Sequence, residues 1–173
     1  MICTGKFTKK IPELQGQKKE YTGTITLGET TPSFDLETEV DQNYPTEHIT
    51  EALLLETTKQ FIGDVTQTPP MFSALKKDGK RLYELAREGK SVEVKSRNVQ
   101  IESFEITGIQ MPEVHFRVVC SKGTYIRTLA DDFGKALDSG GHLSALRRTG
   151  IGDFNVDIAV TPEVFQRELV KSC

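Results

Sequence analysis

The chain changes its hydrophobic period several times. Residues 20–28, Glu-Tyr-Thr-Gly-Thr-Ile-Thr-Leu-Gly, alternate β-formers with small polar residues, which predicts a strand with one covered face that stops at Gly28. After a loop with Pro32, Ile49, Leu53 and Phe61 join neighbouring leucines in an apolar stripe, preceded by Thr46 and followed by Gly63. Threonine in front and glycine behind are capping signals, so the pattern predicts a helix over 46–62. Pro69-Pro70 excludes regular structure, and a short helical stretch over 81–87 is expected to stop at Gly89.

Alternation returns over 91–95, 98–106 and 114–120, where Val114, Phe116, Val118 and Cys120 are separated by more polar residues. These segments predict an antiparallel stretch of sheet. Ile126, Leu129, Ala130, Phe133 and Leu137 then recur at helical spacing, the clearest amphipathic helix in the chain, and Gly140-Gly141 breaks it. A strand over 143–149 and a short helix over 162–170 complete the pattern. The expected fold class is mixed α/β (α+β), a largely antiparallel sheet with flanking helices. A length of 173 residues with 36% hydrophobic content suits one domain with its own core. No internal repeat or low-complexity linker interrupts it.

Charge adds a direction to this picture. The net charge is −3, yet Lys6, Lys9, Lys10, Lys18 and Lys19 crowd the N-terminus, and Lys76 through Arg97 hold a second basic group. Acids dominate over 29–56. This permits a basic face on an acidic body, and equally permits solvated charge scattered over helix surfaces. No apolar run approaches the roughly 20 residues of a membrane span, and the opening Met-Ile-Cys-Thr-Gly is too short for a signal peptide. The expectation is a soluble, cytoplasmic protein with no membrane partner. Cys3, Cys120 and Cys173 lack CxxC spacing and read as reduced thiols. His48, His115 and His142 are isolated, so no metal site is expected, and no GxGxxG, P-loop or GxSxG motif points to a nucleotide cofactor or a serine hydrolase.

Two segments can carry chemistry. In Cys120-Ser-Lys-Gly-Thr-Tyr-Ile-Arg127, Gly123 allows a tight turn at a helix start, where free backbone N–H groups suit an anion. Tyr125 and Arg127 lie outside the apolar stripe and are free for other work, although spacing also allows an Arg127–Asp131 pair at i,i+4. In Gln67-Thr-Pro-Pro-Met-Phe-Ser-Ala-Leu-Lys76 and the following Lys77–Arg87 stretch, Met71, Phe72 and Tyr83 interleave with basic residues. Such a composition stacks on bases while following phosphates, and it also describes a surface loop anchored by its apolar members.

With these residues in view, the chain resembles the TruB-type tRNA pseudouridine synthases, and specifically the C-terminal two-thirds of their catalytic domain. The resemblance rests on Lys19-Glu-Tyr21 opening a strand that ends Leu27-Gly28, on Thr31 through Asp35, on the Gln67–Lys76 segment with Gly79 and Leu82–Arg87, on Ser121–Asp132, and on Leu146-Arg-Arg148. It implies an isomerase that converts the T-loop uridine of tRNA to pseudouridine without cofactor or metal. It further implies that Tyr21 packs on the target base, that Tyr125 and Leu146 line the uracil pocket, and that Arg127 pairs with the catalytic aspartate. Residues 66–97 resemble the insertion that closes over the T-stem-loop, so Lys76, Met71, Phe72, Lys122 and Lys19 are implied substrate-binding residues.

The departures set further expectations. The family's nucleophile sits in a Gly-Thr-Leu-Asp-Pro-type motif upstream of the segment matching residues 2–10, and none of Asp35, Asp64, Asp78, Asp131, Asp132 or Asp153 lies in such a context. Pro32 replaces an acidic residue of the Thr-Asp-Thr pattern. The resemblance therefore implies a fold incomplete at its N-terminus, an exposed sheet edge that invites self-association, no appended PUA domain, and a chain inactive by itself. An alternative of another class is a non-catalytic binder of tRNA-like stem-loops. Either way a buried Arg127 without its partner needs water, an anion or another acid.

Overall fold

A computed structural model describes residues 2–77 and 79–171; Asp78 and Cys173 lie outside the described residues. A 3-10 turn, Gly5–Lys10, runs into α1 (Ile11–Gly16), with Pro12 in its first turn, where a missing N–H costs nothing. Then come β1 (Lys19–Leu27), the β2 (Glu29–Thr30) and β3 (Gln42–Asn43) ribbon, α2 (Glu51–Lys59) and β4 (Gly63–Gln67). A second ribbon of β5 (Lys76–Lys77) and β6 (Lys80–Arg81) leads to α3 (Leu82–Arg87). The chain continues through β7 (Arg97–Gln110), β8 (Glu113–Cys120), α4 (Ile126–Ala136), β9 (Gly141–Ile151), β10 (Phe154–Asn155) and α5 (Pro162–Lys171). Six strands form one sheet in the order β10-β9-β1-β8-β7-β4, every neighbouring pair antiparallel. The mixed α+β class with a largely antiparallel sheet is the observed one.

The core follows from the two periods. Along β8, Val114, Phe116, Val118 and Cys120 are buried and their neighbours are not, as period two on a half-covered sheet requires. On α4 the stripe Ile126, Leu129, Ala130 and Phe133 is buried against that face. Phe61, Phe104, Phe116 and Phe133 meet edge to face at centroid separations of 5.2–6.3 Å. Each such side chain contributes on the order of 2–3 kcal/mol by burial, with a further increment from ring geometry. The end of α4 lies tight on the start of β9: a Cβ on Gly134 would stand 2.2 Å from the backbone of Gly140 and Gly141.

Three expected elements differ. The helix predicted over 46–62 starts at Glu51, because Thr50 is extended and its hydroxyl accepts the Leu53 N–H at 3.2 Å, whereas Thr46 stays outside. Gly63, with φ near 103°, opens β4 and does not merely end a helix. Residues 91–95 alternate in burial but have no strand partner; the Lys77 amino group donates to the Glu93 carbonyl there. A period-two pattern reports a covered face, and a ladder needs a neighbour as well.

Candidate active site

Arg127 stands in the first turn of α4 and uses both arms of its guanidinium. Nη1 donates to Asp35 Oδ2 at 3.0 Å, and Nη2 donates to the Phe72 carbonyl at 2.8 Å. Both side chains of the ion pair are about three-quarters buried. Asp131 is engaged elsewhere, with Lys135 at 2.6 Å, so the i,i+4 pairing with Arg127 does not form. Of the ways to satisfy a buried guanidinium, the fold uses another acid, 92 positions away in sequence.

The loop holding Asp35 is built for that presentation. Thr31 and Ser33 hydroxyls both donate to the Asp35 carbonyl, at 2.7 and 3.1 Å, and the Glu37 N–H donates to Asp35 Oδ1 at 3.0 Å. Phe34 adopts φ near 63°, a left-handed conformation costing about 1–2 kcal/mol for a non-glycine residue. It is held by the Leu143 N–H, which donates to the Phe34 carbonyl at 2.9 Å and ties the loop to β9.

Above the pair opens a cleft of about 380 Å³ lined by Asp35, Leu36, Arg127, Leu143 and Leu146. Leu146 is 47% exposed and forms part of the apolar wall of the cleft with Leu36 and Leu143. It faces Gly23 across the β1–β9 pair, and a Cβ on Gly23 would come within 2.4 Å of the Ala145 carbonyl and 2.8 Å of the Phe116 ring. Tyr21 lies two residues earlier on β1 and so on the same face, opposite Arg148, half-buried against the core. Burial pushes its hydroxyl pKa up, and Arg148 acts in the opposite sense. Tyr125 precedes α4, and the Arg97 guanidinium lies 4.5 Å from its ring centroid.

The remaining candidates lie around this centre. Lys122 is exposed in the turn before α4, and Lys76 is exposed on β5; Met71 and Phe72 are half-buried in the irregular loop that follows β4. The Lys19 amino group donates to the Gln15 and Gln17 carbonyls at 2.5 and 2.6 Å and lines a separate groove of about 510 Å³ with Glu20, Glu102 and Arg117. Burial, then Arg148, lowers its pKa. In the insertion, Arg81 and Arg87 stack on Tyr83 at 5.8 and 5.4 Å, and Arg87 pairs with Glu37 at 2.6 Å, joining the insertion to the Asp35 loop. Sequence reasoning missed Asp35 as the partner of Arg127 and missed Gln67 and Arg97 beside Tyr125. Local spacing holds no sign of the first, and a motif glutamine was the only sign of the second. Among the described residues no group of His, Cys, Asp and Glu is arranged to hold a metal, and no helix is long and apolar enough to cross a membrane.

Comparison with known proteins bears on this geometry. Residues 1–126 match the TruB family pseudouridylate synthase N-terminal domain, and residues 127–172 match the tRNA pseudouridylate synthase B C-terminal domain. That boundary falls inside the first turn of α4. The chain is 64% identical over 169 residues to tRNA pseudouridine synthase B of Flavobacterium johnsoniae, covering 98% of this chain and 74% of the relative. It is 56% identical over 163 residues to tRNA pseudouridine synthase B of Parabacteroides distasonis, covering 94% and 69%. Among solved structures, a chain of a Cbf5–Nop10–Gar1 complex superposes with a TM-score of 0.61 at 28% identity, over 86% of this chain and 34% of that one.

Proposed function

This chain belongs to the TruB family of pseudouridylate synthases, and from that premise we propose that it serves isomerisation of the T-loop uridine of tRNA in the cytoplasm, receiving the T-stem-loop between the cleft and the basic insertion. The reaction is an isomerisation. The bond from ribose to the ring nitrogen breaks, a bond from the same ribose carbon to a ring carbon forms, and the proton lost from that carbon is balanced by one gained at the nitrogen. No atom enters or leaves, so no cofactor is called for.

The observation that carries the reading is the Arg127–Asp35 pair beneath an open cleft walled by exposed Leu146. A guanidinium held at both arms is a fixed positive charge at the wall of the cleft, and an exposed leucine there is an apolar surface for an unstacked base. Tyr21 and Tyr125 supply the aromatic faces, while Lys76 and Lys122 present exposed cations to phosphate. Asp35 is already committed to Arg127 and to the Glu37 N–H. The 173 residues hold no aspartate in a Gly-Thr-Leu-Asp-Pro-type motif, so in this reading they bind and orient the stem-loop without converting it.

Binding of a fluorescent T-stem-loop RNA tests the reading. The expected result is salt-sensitive binding that is weakened by Lys76→Ala and exceeds that of an unrelated hairpin of equal length. Equal affinity for both hairpins would overturn it.

A further inference from the structure

Tyr125 is an unsuitable residue for the position it occupies. It is the N-cap of α4, extended at φ −96° and ψ 109°, with no side-chain cap of its own. Ser, Thr, Asp or Asn would satisfy the helix start, and a tyrosine leaves that end without an internal tether. The tether comes from outside the helix. Gln67, the last residue of β4 and only 1% exposed, accepts the Tyr125 N–H at Oε1, 3.0 Å, and donates from Nε2 to the Tyr125 carbonyl at 3.2 Å.

We propose that Gln67 is a positioning residue that clamps Tyr125, aiming its ring at the base the cleft receives. The clamp is specific because one primary amide matches both backbone groups of one residue, as a neighbouring strand would. A buried amide must find both partners, so Gln67 has no alternative arrangement at equal cost. Arg97, paired with Gln67 in the β4–β7 register, lays its guanidinium 4.5 Å from the Tyr125 ring centroid and holds the side chain as Gln67 holds the backbone. The Thr128 hydroxyl donates to the Thr68 carbonyl at 3.2 Å, and Arg127 donates to Phe72, so the same loop grips successive residues of the helix start. What the ring meets rests on the stem-loop reading above; the clamp itself does not.

The test uses Gln67→Met, which keeps the side-chain length and removes both hydrogen bonds. It has two readouts on the full chain. Amide hydrogen exchange at Tyr125 should quicken roughly tenfold or more while that of Val118 in β8 stays unchanged. The affinity ratio between T-stem-loop RNAs carrying uridine or an abasic site at the target position should fall roughly tenfold, toward that of Tyr125→Ala. A merely structural glutamine would lower the melting temperature and quicken exchange broadly without moving that ratio, and this pattern, or no change at Tyr125, overturns the proposal. If the unmodified chain shows no base-dependent binding, the stem-loop reading fails and exchange at Tyr125 alone decides the clamp. Should Gln67→Met not melt cooperatively, Gln67→Glu, which keeps the acceptor and loses the donor, is judged by the same two measurements.

Discussion

Arg127 Nη1 and Asp35 Oδ2 lie 3.0 Å apart across 92 residues of sequence, and this contact joins the start of α4 to the loop beside β9. Removing one member leaves a largely buried charge whose other contacts cannot neutralise it. Asp35→Ala should cost about 3 kcal/mol in urea unfolding, and Arg127→Met a similar amount. The double variant should be less damaging than the sum, with a coupling of roughly 2 kcal/mol. Additive effects would mean that the pair is not the contact holding the loop.

Gly23 is expected to tolerate no side chain. A methyl there meets the Ala145 carbonyl at 2.4 Å and the Phe116 ring at 2.8 Å, so β9 must move or the core must open. Gly23→Ala should destabilise by about 2 kcal/mol or more and displace Leu146, whereas Gly16→Ala, with nothing within 4 Å, should not. Thermal melts of the two variants compare them directly.

Asp132 titrates against the fold. Burial and the neighbouring Asp131 push its pKa up, with Lys135 opposing. A carboxyl whose folded pKa exceeds its unfolded value is costly when ionised, and that cost is present above the folded pKa and vanishes as pH falls to the unfolded value. Asp132→Asn should therefore be more stable than the unmodified chain at pH 7, with the difference closing near pH ~4. A gain that persists unchanged at lower pH would assign it to packing.

The aromatic cluster carries the helix-to-sheet contact. Phe104 touches Phe61, Phe116 and Phe133. Phe104→Ala should cost about 3–5 kcal/mol, and Phe104→Leu clearly less, as read by urea titration at constant m.

Much of this architecture is legible in the residues alone. The strand at 20–28, the alternation of Val114 to Cys120 and the stripe from Ile126 to Leu137 each stand in the structure within a residue or two, because each element buries one face in one continuous core. What was not legible has physical causes. Val65 alone interrupts the polar run of β4, and α1 buries nothing, so neither leaves a hydrophobic period to read. Thr46 and Thr50 are chemically alike, and only the backbone distinguishes the cap. Tyr125 and Arg127 were recognisable as residues outside the apolar stripe. The acid that meets Arg127 was not, since a contact across 92 positions is made by the fold and not by spacing.

Pseudouridine formation on a T-stem-loop RNA decides whether these residues bind the stem-loop without converting it. It would be measured for the 173-residue chain beside the same chain joined, ahead of Ile2, to a segment carrying a Gly-Thr-Leu-Asp-Pro-type motif. Both proteins are expected to bind, only the joined protein to convert, and Arg127→Ala to abolish that conversion. Conversion by the 173 residues alone would contradict this, and its loss with Asp35→Asn would then make Asp35 the reacting acid.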